Sequence, residues 1–137
     1  MSVLDEVRWL ALPSHADARG VLTSVESGID TPFEIKRVFY MHHIVTSRGG
    51  HAHRDTDQIV VAVAGNFKID VLDGIGASTY HLHDATNGLY IPRMVFTRLY
   101  DFSPGAVCLV FANTHYDMTN SIRSWEDYLA EIGTRKP

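Results

Sequence analysis

The chain has 137 residues and a single cysteine, Cys108. That excludes an intrachain disulfide and any metal site built from several thiolates. Cys108 stands in the apolar run Val107–Phe111 and reads as a small buried hydrophobe. Basic charge is also short: 12 Lys and Arg stand against 16 Asp and Glu, a net charge of -4. Such a balance leaves no electrostatic footprint for nucleic acid or for an anionic membrane surface. No apolar run approaches the ~20 residues of a membrane-spanning helix, and no signal-peptide pattern appears. The expected location is therefore the cytoplasm. Helical periodicity is scarce and confined to the tail. What is plentiful is histidine, eight in a chain of this length. The length itself fits one domain with one core, spanning residues 1–137.

Short strand patterns fill most of the chain. Val7–Leu12 reads as an opening strand ended by Pro13, and Asp17-Ala-Arg-Gly20 as a turn followed by a strand over residues 21–26. Residues 32–41 alternate with neither face cleanly polar, which suits a strand buried on both sides. After a loop over residues 42–50, strands are expected at 58–64, 67–72, 78–83, 88–92, 95–100 and 106–112. Gly65-Asn66 and Asp73-Gly74 supply hairpin turns between the first three of these. Ile122, Trp125, Leu129 and Ile132 recur at helical steps, predicting a helix over residues 121–132 closed by Gly133. About nine short strands bounded by Gly, Pro or Asp predict an all-β antiparallel barrel or jelly roll with a short C-terminal helix.

The chemistry concentrates in Arg48-Gly-Gly-His-Ala-His-Arg-Asp-Thr-Asp-Gln58. Residues i and i+2 of a strand share a face, so His51 and His53 enter the same space. The spacing from this pair to Gln58 and Gly65 resembles the first motif of the cupin superfamily. A metal cupin carries a carboxylate where this chain has Gln58. Its later Pro-x-Gly-x-x-His motif falls on Pro92-Arg-Met-Val-Phe-Thr97, where Met94 replaces the glycine and Thr97 the ligand histidine. Two imidazoles and an amide make a poor site for iron, manganese or zinc. Histidines that only fill a barrel would each need a buried partner. Metal-free acid–base work is the remaining reading, because an imidazole of pKa about 6.5 takes and returns protons near neutrality. His42, His43, His81 and His83 lie outside the motif and read as loop or solvated-face residues.

From Asp17 to Tyr128 the chain resembles the FdtA/QdtA, or WxcM-like, nucleotide-sugar 3,4-ketoisomerases of the cupin superfamily. The carriers are Asp17–Gly20, the run Pro32-Phe-x-Ile-Lys-Arg-Val-Phe-Tyr40, Arg48–His53, Gln58, Gly88-Leu-Tyr90, Asp101–Ser103, Tyr116-Asp117 and Ile122-Arg123. The resemblance implies conversion of dTDP-4-keto-6-deoxyglucose to a 3-keto sugar through an enediol(ate), with no metal or other cofactor. It implies His51 and His53 as catalytic residues, with His53 the principal base and His51 positioning or sharing protons. Arg19, Arg48 and Arg123 would hold the pyrophosphate, with Tyr40, Gln58, Tyr90 and Thr97 as further substrate contacts. A homodimer exchanging N-terminal strands is implied as well, the Val7–Leu12 strand being one candidate for the exchange. Thr97 and Tyr100 depart from the family pattern, which has histidines at both positions. They raise one alternative, a cupin that holds a nucleotide sugar without turning it over.

Overall fold

The computed structural model describes residues 2–135. Two five-stranded antiparallel sheets face each other. The first contains, in spatial order, β1 (Arg8–Ala11), β9 (Asn87–Ile91), β6 (Gln58–Ala64), β11 (Val107–Ala112) and β4 (Arg37–Met41). The second contains β12 (Ser121–Ile122), β5 (Arg48–His53), β10 (Phe96–Tyr100), β7 (Phe67–Leu72) and β8 (Ala77–Leu82). β2 (Ser14–Asp17) and β3 (Gly20–Thr23) make a separate two-stranded hairpin, and α1 (Trp125–Arg135) follows β12. This is the expected cupin-type jelly roll.

The core lies between the sheets. β7 alternates strictly, and its inward residues Phe67, Ile69 and Val71 are fully buried against Val60, Ala62, Leu89, Cys108 and Val110. Burying such side chains contributes about 1.5–3 kcal/mol each. β6 is apolar on both faces because both are covered: Val60 faces the core, while Ile59 and Val61 pack outward against Leu12, Val25, Phe33 and Tyr90.

Three expectations need correction. The run over residues 32–41 forms a strand only at Arg37–Met41, at the sheet edge, and it is not buried on both sides. Phe39 and Met41 pack inward, whereas Val38 and Tyr40 are half or more exposed. The strand expected over residues 21–26 is β3, Gly20–Thr23, and the Asp17–Gly20 turn joins it to β2 in a hairpin of exposed strands. The helix starts late and ends late. Ser121 and Ile122 pair with His53 and Ala52 instead, because Ile122 fills a slot against Ala52, Phe96 and Tyr128 on the outer face of the second sheet. The Ser124 hydroxyl then accepts from the Asp127 amide, an N-cap that begins the helix at Trp125. Gly133 lies within the helix.

Candidate active site

Gly49 and Gly50 set up the histidine strand. Gly49 has φ +132, and a Cβ there would come within 2.5 Å of the Arg98 Cα, so only glycine lets β5 approach β10 this closely. His51 then pairs with Thr97 of β10, and His53 pairs with Ser121 of β12. Their shared strand face points into a cavity of about 320 Å³ between the sheets.

The walls of this cavity differ in character. Val60, Ile69, Ile91, Leu99 and Val110 give it an apolar floor. Arg37, Arg48 and Arg123 bring three guanidinium groups to it, and no carboxylate lines it among the described residues. The histidines and Arg48 come from β5 of the second sheet, and Arg123 directly follows β12. Gln58 and Arg37 come from the first sheet. One side chain of each sheet meets across the gap: the Gln58 amide nitrogen lies 3.3 Å from Nε2 of His53.

Burial lowers the pKa of His53 to about 4, with the charges of His51 and Arg37 acting in the same direction. Burial also lowers His51, helped by Arg123 and Arg48. Both rings are therefore neutral near pH 7 and present lone pairs rather than cationic N–H groups. The donors at the four cupin ligand positions are two imidazoles, the Gln58 amide and the Thr97 hydroxyl. None of these is anionic, and no group of three His, Cys, Asp or Glu side chains converges among the described residues.

Of the residues singled out in the sequence, His51, His53, Arg48, Gln58, Thr97 and Arg123 line this one cavity. Arg19, Tyr40 and Tyr90 do not, within a single chain. Arg19 sits on the β2–β3 hairpin, exposed and paired with Asp17 at 2.6 Å. Tyr40 points outward from edge strand β4, its ring 5.5 Å from that of His42. Tyr90 packs on the outer face of the first sheet, beneath the Arg8 guanidinium. Tyr100 is outside as well and donates to Asp70 at 2.8 Å. Asp101 is a turn residue at φ +56 that pairs with Lys68 and orients no imidazole. Arg37, Tyr116 and Ser121 were missed as site residues. Arg37 and Tyr116 stood in the family-like runs but carried no separate signal.

Residues 5–133 match the family described as FdtA: WxcM-like, C-terminal. The TDP-4-oxo-6-deoxy-alpha-D-glucose-3,4-oxoisomerase of Aneurinibacillus thermoaerophilus is 34% identical over 125 residues, covering 88% of this chain and 90% of that protein. A histidine-to-asparagine variant of the 3,4-ketoisomerase QdtA from Thermoanaerobacterium thermosaccharolyticum, solved with TDP-4-keto-6-deoxyglucose, superposes with a TM-score of 0.90 at 34% identity. The match covers 94% of this chain and 95% of QdtA. The WlaRB TDP-quinovose 3,4-ketoisomerase of Campylobacter jejuni gives 0.85 at 33% identity, over 90% of this chain and 97% of that one. With a family match over nearly the whole chain and relatives above 30% identity at this coverage, the protein belongs to the FdtA, WxcM-like family of sugar-nucleotide ketoisomerases.

Proposed function

We propose that the protein is a sugar-nucleotide 3,4-ketoisomerase acting on a TDP-linked 4-keto-6-deoxyhexose by acid–base chemistry at His51 and His53. The observation that carries this reading is the pairing of two neutral imidazoles with three arginines in one carboxylate-free cavity. A ketose isomerisation needs one group that removes a proton from carbon and returns it to the neighbouring carbon. It also needs a polar surround for the charge that appears on oxygen. The named relatives act on such sugars, and their nucleotide brings a diphosphate that suits arginine forks.

The steps balance without a redox partner. His53 takes the proton from C3, the C3–H electrons form the C3=C4 bond, and the C4 carbonyl oxygen becomes an enediolate oxygen. The C3 hydroxyl proton passes to the C4 oxygen through the second imidazole, His51. The proton on His53 exchanges with solvent, and His53 then protonates C4, leaving a ketone at C3. Arg48 and Arg123 flank His51 and hold the diphosphate. The apolar floor takes the 6-methyl group, which has no hydroxyl to solvate. Thr97 lies opposite His51 on β10 and contacts the sugar where family members place an imidazole. Tyr100 does not face the cavity, so its replacement of a histidine leaves the cavity wall unchanged.

A homodimer completes this reading. Val21 and Leu22 of the β2–β3 hairpin and Val38 and Tyr40 of β4 are exposed apolar side chains. A second copy would cover them. In the single chain β1 already pairs with β9. The β2–β3 hairpin forms its own sheet. That hairpin is therefore the arm free to cross, and it would carry Arg19 toward the partner's cavity. No helix among the described residues is long and apolar enough to cross a membrane.

The test is proton NMR of the EDTA-treated protein with dTDP-4-keto-6-deoxyglucose in deuterated buffer. New 3-keto resonances with deuterium at C4 are expected, and the C4 coupling identifies the product epimer. An unchanged spectrum from a protein whose melting temperature rises with the ligand would replace this reading with a binding cupin.

A further inference from the structure

Arg37 is the odd member of the arginine set. It stands on edge strand β4, opposite the histidines. One cross-strand row of the first sheet runs from Gln58 through Ala112 to Arg37. Ala112, between them in this row, is small and fully buried. Two strand spacings, about 10 Å, separate their backbones. The Arg37 guanidinium carbon lies 4.6 Å from the Phe39 ring centre and 5.3 Å from that of Tyr116, a clamp that fixes its direction. Its Nε is buried and has no hydrogen-bond partner. Among the described residues no carboxylate pairs with it. An orphaned, buried N–H on a permanent cation costs about 1–3 kcal/mol or more unless something else satisfies it. Arg37 itself lines the cavity.

We propose that Arg37 holds the sugar oxygen on which charge develops when C3 loses its proton. This rests on the isomerase reading given above. The argument is one of direction. The C3–H bond must break roughly perpendicular to the carbonyl plane for its electrons to join the carbonyl π system, whereas the oxygen's lone pairs lie in that plane. The base and the oxygen's partner must therefore approach from different directions. The histidines rise from the second sheet and Arg37 from the first. Arg48 and Arg123 share the histidine wall, beside His51, and are placed for the diphosphate instead. A rigid donor that waits unpaired for a charge formed only during reaction lowers the barrier without tightening ground-state binding.

The experiment compares the full-length wild type with Arg37→Ala and Arg37→Lys. It reads kcat and KM for dTDP-4-keto-6-deoxyglucose, deuterium incorporation at the ring carbon, and the calorimetric Kd for dTDP, which has no sugar. For Arg37→Ala, kcat and the deuterium exchange rate should both fall by roughly 10²–10³-fold. The dTDP affinity should stay within about twofold, and added guanidinium should restore part of kcat. Arg37→Lys keeps the charge but not the fork, and should lose about tenfold or more. A tenfold weaker dTDP affinity with unchanged kcat at saturation would make Arg37 a phosphate ligand and overturn the proposal. Should Arg37→Ala fail to fold, Arg37→Lys decides, and wild-type kcat in that variant overturns the proposal. No exchange by wild-type protein with the sugar bound would remove the isomerase reading and this proposal together. Wild-type exchange with an equally active Arg37→Ala variant removes only the role of Arg37.

Discussion

Acid should destabilise this fold through His53 before its carboxylates titrate. The folded-state pKa of His53 is about 4, against about 6.5 for an ordinary imidazole. The unfolded chain therefore binds a proton near pH 6.5 that the folded chain refuses until about pH 4. Stability from the neutral ring is complete above about pH 6.5 and is lost as the pH falls through the folded value. The full difference, 2.5 units at 1.36 kcal/mol each, is about 3 kcal/mol, and roughly 2 kcal/mol of it has gone by about pH 5. His51 is lowered too and adds in the same direction. Asp17, Asp84 and Asp117 are held below the ordinary carboxylate range by local hydrogen bonds and act only at lower pH. The assay is urea unfolding at fixed protein concentration from about pH 7.5 to pH 5, for the wild type and for His53→Asn. The variant should lose about 2 kcal/mol less over that window. Equal losses in the two proteins, within about 0.5 kcal/mol, would refute the claim that a desolvated His53 sets the acid limb.

Three further outcomes are expected. The acid limb of kcat/KM, which reports the free enzyme, should lie well below the ordinary imidazole value, while the limb of kcat should lie higher because bound diphosphate offsets Arg48 and Arg123 beside His51; a pH–rate series in which kcat/KM falls at about pH 6.5 contradicts this. Gln58→Glu places a carboxylate against Nε2 of His53, so histidine NMR should show the His53 pKa rising by about one unit or more, and calorimetry should show new affinity for zinc or nickel; an unmoved titration and no metal uptake would count against the contact. Phe67→Ala empties a fully buried site beside Phe102 and should cost about 3–5 kcal/mol in urea unfolding, with a loss under about 1 kcal/mol arguing against a tightly packed core there.

The sequence carried the strands whose pattern has one physical cause. β7 reads correctly because alternation follows directly from one buried face, as Phe67, Ile69 and Val71 show. The run over residues 32–41 misleads because apolar side chains stand on both faces of β4: Phe39 and Met41 face the core, while Val38 and Tyr40 face outward and are exposed. Composition does not separate a core face from an exposed one. Ile122 misleads for a related reason. Its spacing from Trp125 suits a helix, yet it is buried as a strand residue against Ala52, a contact made across 70 residues of chain. Met94 occupies the glycine position of the second cupin motif and keeps the left-handed turn at φ +64. Its amide donates to the His53 carbonyl and its carbonyl accepts from the Tyr128 hydroxyl, so tertiary contacts hold a conformation that the residue itself disfavours.

The site divides along the same line. His51 and His53 were legible because strand geometry alone puts residues i and i+2 on one face, and Gln58 because it stands at the spacing of the cupin motif, although it reaches His53 from the other sheet. Arg48 and Arg123 needed the resemblance, since no local rule links the start of β5 to the end of β12. Arg37 needed coordinates, because its meaning depends on what does not surround it. Lys36-Arg-Val38 looks like any strand with charged residues, and an arginine there is ordinarily solvated. Only the assembled sheets show a guanidinium clamped by Phe39 and Tyr116, separated from Gln58 by an alanine, and left without an acceptor. A missing partner is a property of three-dimensional neighbours, and no spacing in the chain encodes it.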